Sequence, residues 1–223
     1  MAKKASGGQQ REKALSREQI IKAAIELLDS SGESGLTFRV LSERLATGAG
    51  AIYWHIANKN DLLTAACDAI IANAVELTAT GDTPEEVIRA LALGVFDAMD
   101  EHPWVGSTFT LSPGQSPVLR IVERIGQQVR VLGVPEDAQW ATASALIAFI
   151  LGVGGQNAAN RQLARAKGFT RSDFLETVAA AWSQLDPEEY SFARSIAEPL
   201  RTHDDRADFL AGIEIILRGI RAK

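Results

Sequence analysis

Three consecutive side chains, Tyr53, Trp54 and His55, combine aromatic surface with polar atoms. They lie in the short segment 51–56, in which Ile52 and Ile56 are four residues apart and would share the inner face of a helix. This spacing predicts one helix of about two turns, with the polar aromatic side chains on its outer side. A hydroxyl and an imidazole placed there can hydrogen-bond to phosphates and base edges, which is the chemistry of nucleic-acid recognition.

A second short helix precedes this segment. Thr37 is a favoured N-cap residue, and Leu41 and Leu45 share one face of the helix that would follow it. Residues 47–50 (TGAG) then break the helix, because glycine tolerates the backbone angles of a tight reversal. The pattern predicts a helix-turn-helix whose second helix enters the DNA major groove. The alternative is an internal helical hairpin with a buried aromatic cluster.

The order and spacing of residues 36–63 resemble, without a gap, the DNA-binding domain of the TetR family of bacterial repressors, and in particular its tetracycline repressor branch. The resemblance implies that Arg39 reads a base from the first helix of the motif and that Lys59 binds a phosphate. Ala49 and Gly50 depart from the Gln and Pro of that branch, so we expect a different operator sequence. The predicted DNA-binding residues are Thr37, Arg39, Ala49, Gly50, Ala51, Tyr53, Trp54, His55 and Lys59.

Composition fits a protein that meets DNA at one end only. The 223 residues have a net charge of −5, yet residues 1–60 hold nine Lys and Arg against six Asp and Glu. The single cysteine, Cys67, excludes an internal disulfide and fits a reducing cytosol, where we expect it to be a buried core residue. No apolar run approaches a membrane span and no signal peptide is evident, so we expect a cytoplasmic protein.

The helical periodicity of the chain predicts an all-α fold with three parts. Residues 1–15 are expected to form a disordered basic arm, 16–62 the helix-turn-helix domain and 63–223 a larger helical domain for regulation and dimerisation. Ser16 with Gln19, and Thr83 with Glu86, form predicted capping boxes. Asp61 is expected to cap the next long helix. Two interruptions are predicted, a loop over 103–117 with room for a short helical turn and a mobile connection over 160–171.

Two helices have the composition of an interface between protein subunits. Small residues lie among large apolar ones over 138–155 and again at Gly212 and Gly219 of the last helix, so that partner helices can approach closely. One short recognition helix also gives few contacts, and a two-fold protein reads two half-sites. A homodimer is therefore expected, against the alternative of a monomer with both helices in its own core.

The resemblance also implies a small-molecule effector site among the helices of residues 84–155. His and Glu ligands of the family's magnesium–drug complex are absent, since Phe109 and Gln156 stand at those places. The effector is therefore expected to be apolar, with no metal and no other cofactor. The predicted effector-binding residues are Leu91, Val95, Trp104, Phe109, Trp140 and Gln156.

An enzyme is the main competing class, and the sequence argues against it. The three histidines, His55, His102 and His203, have no metal-binding partner at helical spacing. Nucleophile-elbow, C-x-x-C and phosphate-loop motifs are missing. The expected function is a ligand-responsive repressor that binds a palindromic DNA operator as a homodimer and is released by its effector. The alternative is a helical protein-interaction or ligand-binding protein that does not bind DNA.

Overall fold

A computed structural model describes residues 15–77, 81–111 and 116–221 of the chain. The described residues form eleven α-helices and contain no strand, which confirms the all-α fold. The predicted arm over 1–15 lies outside them except for Leu15. The helices are α1 (Arg17–Gly35), α2 (Phe38–Arg44), α3 (Ala49–Tyr53), α4 (Lys59–Leu77), α5 (Pro84–Glu101), α6 (Trp104–Leu111), α7 (Ser116–Val131), α8 (Glu136–Ala166), α9 (Arg171–Ser183), α10 (Ser191–Leu200) and α11 (Asp205–Arg221).

The chain separates into two compact units, and the division falls between Leu62 and Leu63 within α4. In the first unit, α1 begins with the predicted capping box, in which the Ser16 hydroxyl accepts from the Gln19 amide and the Gln19 side chain accepts from the Ser16 amide. The core of this unit consists of aliphatic side chains without solvent exposure. They are Ile20 and Ala24 of α1, Leu41 of α2, Ile52 of α3, and Ile56 and Leu62 further along the chain.

The turn between α2 and α3 differs from the prediction. Neither Gly48 nor Gly50 adopts a positive φ; the left-handed residue is Ala46, at φ 49°. The Ala46 amide donates to the Glu43 carbonyl and the Thr47 amide to the Ser42 carbonyl, the pair of bonds that closes a Schellman motif at a helix C-terminus. The reversal therefore begins two residues before the first glycine, with an alanine at the strained position.

The cap of α4 also differs from the prediction. Asn58, not Asp61, precedes the helix, and its side chain accepts from the Asp61 amide at 2.9 Å. The Asp61 carboxylate accepts from the Ala57 amide at 3.0 Å. Asp61 therefore lies in the first turn, where a carboxylate satisfies a free amide and suits the helix dipole.

The second unit is built around α8, which packs against α5, α6, α7, α9 and α11. α5 begins with the predicted capping box of Thr83 and Glu86 and with Pro84 in its first turn. Phe209 of α11 stacks between Phe96 of α5, with ring centroids 4.5 Å apart, and Phe149 of α8, at 5.6 Å. This aromatic stack joins three helices into one core.

Two predicted interruptions in this unit are wrong. Residues Trp104–Leu111 form helix α6, and α7 begins at Ser116, so most of the predicted loop over 103–117 is helical. α8 runs unbroken to Ala166, through most of the connection predicted over 160–171. Arg161 explains part of this continuity, because its guanidinium bonds the Asp100 carbonyl at 2.9 Å and the Asp100 carboxylate, which fixes the later turns of α8 to α5.

One helix of the described residues, α8, is long and apolar enough to cross a membrane by length and composition, contrary to the sequence-based expectation. Its apolar character comes largely from the large aliphatic and aromatic residues over 146–153, and it packs against five other helices of the second unit. A helix in the middle of a helical domain passes the same test of length and composition.

Candidate nucleic-acid interface

The outer face of the helix-turn-helix carries the predicted recognition residues. Ile52 is fully buried, while Tyr53 is 54% exposed and Trp54 is 89% exposed. His55 is exposed as well. The helix begins and ends earlier than the predicted segment 51–56: α3 runs from Ala49 to Tyr53, and the chain leaves the helix at Trp54. An exposed tryptophan beside an exposed tyrosine is an apolar patch that a partner would cover.

Small residues form the N-terminal part of the same face. Ala49 and Gly50 are exposed and Ala51 is half-buried. A Cβ atom added at Gly50 would meet nothing within 4 Å, so the backbone there is open to a partner. These three positions carry no side-chain donor or acceptor, so hydrogen-bonded base readout from this interface would come from their neighbours.

Tyr53 is held by a residue that the sequence interpretation missed. Its ring stacks on that of Phe38, with centroids 4.6 Å apart and planes within 3° of parallel. Phe38 is the first residue of α2, directly after the N-cap Thr37. The sequence feature that indicates such a contact is an aromatic residue in the first turn of a helix whose other large apolar side chains face inward.

Thr37 and Arg39 lie at the same end of α2. The Thr37 hydroxyl accepts from the Val40 amide at 3.2 Å, which confirms the predicted N-cap. Arg39 is 86% exposed and pairs along the helix with Glu43 at 3.1 Å. A pair so exposed contributes little to folding and separates readily, so the guanidinium is available to a base or a phosphate.

Lys59 has a structural partner that the sequence did not indicate. Its ammonium donates to the Glu33 carbonyl, near the C-terminal end of α1, at 2.7 Å. A lysine can donate three hydrogen bonds, so two donors remain, and the phosphate contact stays a prediction. The bond adds a cation to a helix C-terminus and ties the beginning of α4 to α1.

A groove of about 780 Å³ lies between α1 and the turn that leads to α3. Lys22 and Arg44 supply cations to its lining, and Ala51 joins it to the recognition face. Arg44 also pairs with Glu26 of α1. Because Glu26 also lines the groove, its charged side chains sum to one positive charge, beside Ala51 of α3.

The predicted effector residues of α5 and α6 are inside the second unit. Leu91, Val95 and Trp104 are at most 3% exposed, and Phe109 is half-buried. Leu91 and Val95 share one face of α5 with Met99. The Met99 methyl group lies 3.8 Å from the position of a Cβ on Gly106 and 2.8 Å from that of a Cβ on Gly154. The space left by these two glycines is therefore filled by a flexible methionine.

Trp140 and Gln156 do not join that cluster. Trp140 is 68% exposed and lines a groove between α7 and α8, beside Gly126 and Arg130. Gln156 is exposed, and its amide bonds Asn160 one turn further along α8 at 3.1 Å. Sixteen residues of helix separate Trp140 from Gln156, a distance of about 24 Å at 1.5 Å per residue. One small-molecule pocket does not contain both in this structure.

The other titratable groups of the described residues include one buried thiol. Burial raises the pKa of the Cys67 thiol to about 12, so it is a neutral core residue. In the described part of the chain, no three His, Cys, Asp or Glu side chains converge as metal ligands would. The described polar clusters are of two kinds. Ion pairs join helices to one another, and helix caps satisfy the ends of single helices.

Comparison with known proteins agrees with this architecture. The family profile "Bacterial regulatory proteins, tetR family" matches residues 20–66, and "Tetracyclin repressor-like, C-terminal domain" matches residues 78–223. The solved structure of SCO7222, a TetR transcriptional regulator from Streptomyces coelicolor, is 51% identical and superposes with a TM-score of 0.81. That superposition covers 93% of this chain and 98% of the other.

Two curated relatives match at lower identity. The class D tetracycline repressor protein from Escherichia coli is 26% identical over 94% of this chain and 90% of its own. An HTH-type transcriptional regulator from Saccharopolyspora erythraea is 31% identical, and this match spans 46% of the chain and 44% of that relative. With both profiles matched in order over an N-terminal helix-turn-helix and a helical C-terminal domain, the chain belongs to the TetR family of bacterial transcriptional regulators.

Proposed function

We propose that this protein is a cytoplasmic repressor that binds a palindromic operator as a homodimer and is released by a small, apolar, metal-free effector. The observation that carries the proposal is the exposed recognition face around Tyr53 and Trp54, beside a groove that presents Lys22 and Arg44. Aromatic and cationic groups on one face suit a duplex, which offers phosphates along its strands and base edges in its grooves.

The dimer is supported by a charge-free face of α8. Residues 138–160 contain no Asp, Glu, Lys or Arg. Four small residues of this segment are exposed at spacings of four, three and four, which places them on one side of the helix. They are Ala141, Ala145, Ala148 and Gly152. Other small residues of the segment face the core of their own unit, among them Ala143 and Gly154.

α11 extends this face. Ile215 is 64% exposed, and Ala211 and Gly219 lie one turn to either side of it. A cavity of about 700 Å³ is lined by Ala145 of α8 and Gly219 of α11, among others, so the two helices border the same surface. Gly212 has a different use, because a Cβ there would lie 2.1 Å from the Phe149 ring of the same chain. A second copy packing on α8 and α11 would cover the apolar face.

The effector site is proposed among α5, α6 and α8, around Leu91, Val95, Trp104 and Phe109. Met99 fills the space beside Gly106 and Gly154, and an unbranched thioether can change rotamer at low cost. An apolar effector could take that space when Met99 moves aside. Release from DNA then requires only that the effector binds the form with low operator affinity more tightly.

The test of the proposed function is selection of bound fragments from a random DNA pool by the purified full-length protein, at roughly physiological salt. The expected product is a palindrome with half-sites one or more helical turns apart, enriched over several rounds. Its motif would also identify the regulated promoters. A protein that is folded and dimeric but enriches no motif would contradict the DNA-reading function.

A further inference from the structure

We propose that Phe38 is a positioning residue for DNA recognition: it holds the Tyr53 ring so that the tyrosine hydroxyl is presented to an acceptor on the DNA. The inference rests on the proposed function, since it concerns how the same face reads its operator. It adds a residue outside the predicted recognition set and gives it a task that does not require Phe38 to touch the DNA.

The backbones that carry the two rings are fixed independently of the rings. Leu41 anchors α2 and Ile52 anchors α3, and both side chains are fully buried. The Ile52 carbonyl accepts from the amides of His55 and Ile56, at 2.9 and 3.0 Å, which holds the chain on the far side of Tyr53. The stack therefore lies outside the fully buried anchors of the two helices.

The geometry of the stack restricts Tyr53 strongly. Planes within 3° of parallel and a centroid distance of 4.6 Å place one ring face against the other, an offset arrangement that aromatic pairs favour. The rest of Tyr53 remains accessible, since the residue is 54% exposed although one ring face is covered by Phe38. A tyrosine at the end of a five-residue helix would otherwise sample several rotamers.

Restriction of this kind increases affinity because a side chain that is already ordered loses less freedom on binding. Loss of the flat partner is expected to weaken operator binding about two- to tenfold, the range for one immobilised side chain. The hydroxyl is uncharged, so the slope of affinity against salt should not change, unlike the loss of a phosphate-binding cation.

The experiment is a double-mutant cycle on the full-length protein with a duplex carrying the selected operator. Phe38→Leu keeps an apolar side chain but removes the flat face, while Tyr53→Phe keeps the stack but removes the hydroxyl. We expect Phe38→Leu to cost about two- to tenfold in the wild-type background and nothing further in the Tyr53→Phe background. Phe38→Tyr keeps a flat ring and should bind the operator with wild-type affinity. Phe192→Ala removes a 75% exposed aromatic side chain of α10 and should not change operator affinity.

The outcomes separate a positioning role from a structural one. An equal loss in both Tyr53 backgrounds would overturn the proposal, and so would a fall in melting temperature that accounts for the loss of binding. If Tyr53→Phe and Tyr53→Ala both bind the operator as wild type does, then Tyr53 does not read DNA and the inference fails while specific binding stands. If no operator is selected at all, the proposed function fails and the inference fails with it.

Discussion

Two exposed apolar surfaces of this protein differ in ways that indicate different partners. The recognition face of the first unit is small and aromatic, with Tyr53 and Trp54 next to Arg39 and His55. The α8 and α11 face of the second unit is aliphatic, built from alanine, glycine and Ile215, and α8 carries no charge over 138–160. Aromatic rings mixed with donors and cations suit a hydrated, charged duplex, whereas small aliphatic side chains suit close helix packing.

Exposure of apolar side chains alone does not indicate which kind of partner a surface binds. The polar groups on the same surface do indicate it. Ile215 and Tyr53 are similarly exposed, at 64% and 54%. Tyr53 has a hydroxyl that can donate outward, whereas the Ile215 side chain has no polar atom. If the assignment of the two surfaces is right, substitutions on one should leave the function of the other intact, except where DNA binding needs two copies.

The largest expected effect comes from the α8 and α11 surface. Ala148→Glu combined with Ile215→Glu would place two carboxylates in an apolar contact, where burying unpaired charge is very unfavourable. The double variant should be a folded monomer by sedimentation. Its operator affinity should fall at least about 100-fold, because one DNA-binding unit replaces two linked ones. The control is Phe192→Glu on α10, which is 75% exposed and should remain dimeric. A dimeric double variant would show that the copies meet elsewhere.

The next largest effect should come from the recognition face. Tyr53→Ala and His55→Ala are each expected to weaken operator binding by about 10- to 100-fold, since each removes a polar contact from the groove. Both residues are exposed, so sedimentation and melting temperature should not change. Wild-type operator affinity in both variants, measured by fluorescence anisotropy, would show that this face does not read the operator.

Lys59→Ala should have a mixed effect because Lys59 has two tasks. Loss of its bond to the Glu33 carbonyl should lower the free energy of unfolding by about 1 kcal/mol. Loss of a phosphate contact should weaken binding to all DNA sequences alike and reduce the salt slope by about one. Lys167→Ala, at an exposed position of the second unit, is the control. An unchanged salt slope with reduced stability would leave Lys59 with its structural task alone.

Ala46→Gly should stabilise the first unit. An alanine at φ 49° is less favourable than a glycine by about 1 kcal/mol, and the greater freedom of glycine in the unfolded chain offsets part of this gain. We expect a net rise of about 0.5 kcal/mol in urea unfolding with operator binding unchanged. Ala180→Gly, at an exposed helical position in α9, should do the opposite. A loss of stability at both positions would contradict the left-handed assignment.

An effect of similar size concerns the ion pair of Arg89 and Glu214, which joins α5 to α11. The Arg89 guanidinium, through its hydrogen bonds, holds the pKa of the Glu214 carboxyl below its usual range. A lowered carboxyl pKa stabilises the folded state above the unfolded pKa, and this contribution disappears as the pH falls through the folded pKa. Glu214→Gln should therefore cost about 0.5 kcal/mol at pH 7 and progressively less towards acid, measured by urea unfolding. Glu188→Gln, on an exposed turn, should show no such dependence.

Local patterns predicted much of this protein, because they depend on neighbours in the chain. The capping boxes at Ser16 and Thr83, the N-cap at Thr37 and the inner face at Ile52 all follow from spacings of three or four residues. The helix-turn-helix and the family followed from one gapless stretch, and both are confirmed. The predicted site residues and the domain limits remain predictions.

Composition misled where tertiary contacts override it. The polar stretch over 160–171 predicts a connection, but α8 runs unbroken through most of it, and Arg161 bonds Asp100, a residue far away in sequence. The proline-rich stretch over 103–117 was predicted to be a loop, but Trp104 is buried and the segment from Trp104 to Leu111 is helical. Single-sequence patterns do not contain such distant partners.

The sequence by itself determined the all-α class, the order of the helices and the helix-turn-helix motif, since these follow from periodicity, capping and local spacing. Only the tertiary structure decided which small residues face outward, because Ala148 and Gly154 read alike along the chain while only one contacts Met99. It alone paired Phe38 with Tyr53 and Lys59 with Glu33. Those contacts join residues separated by helices and turns, and their existence depends on how the helices pack in space.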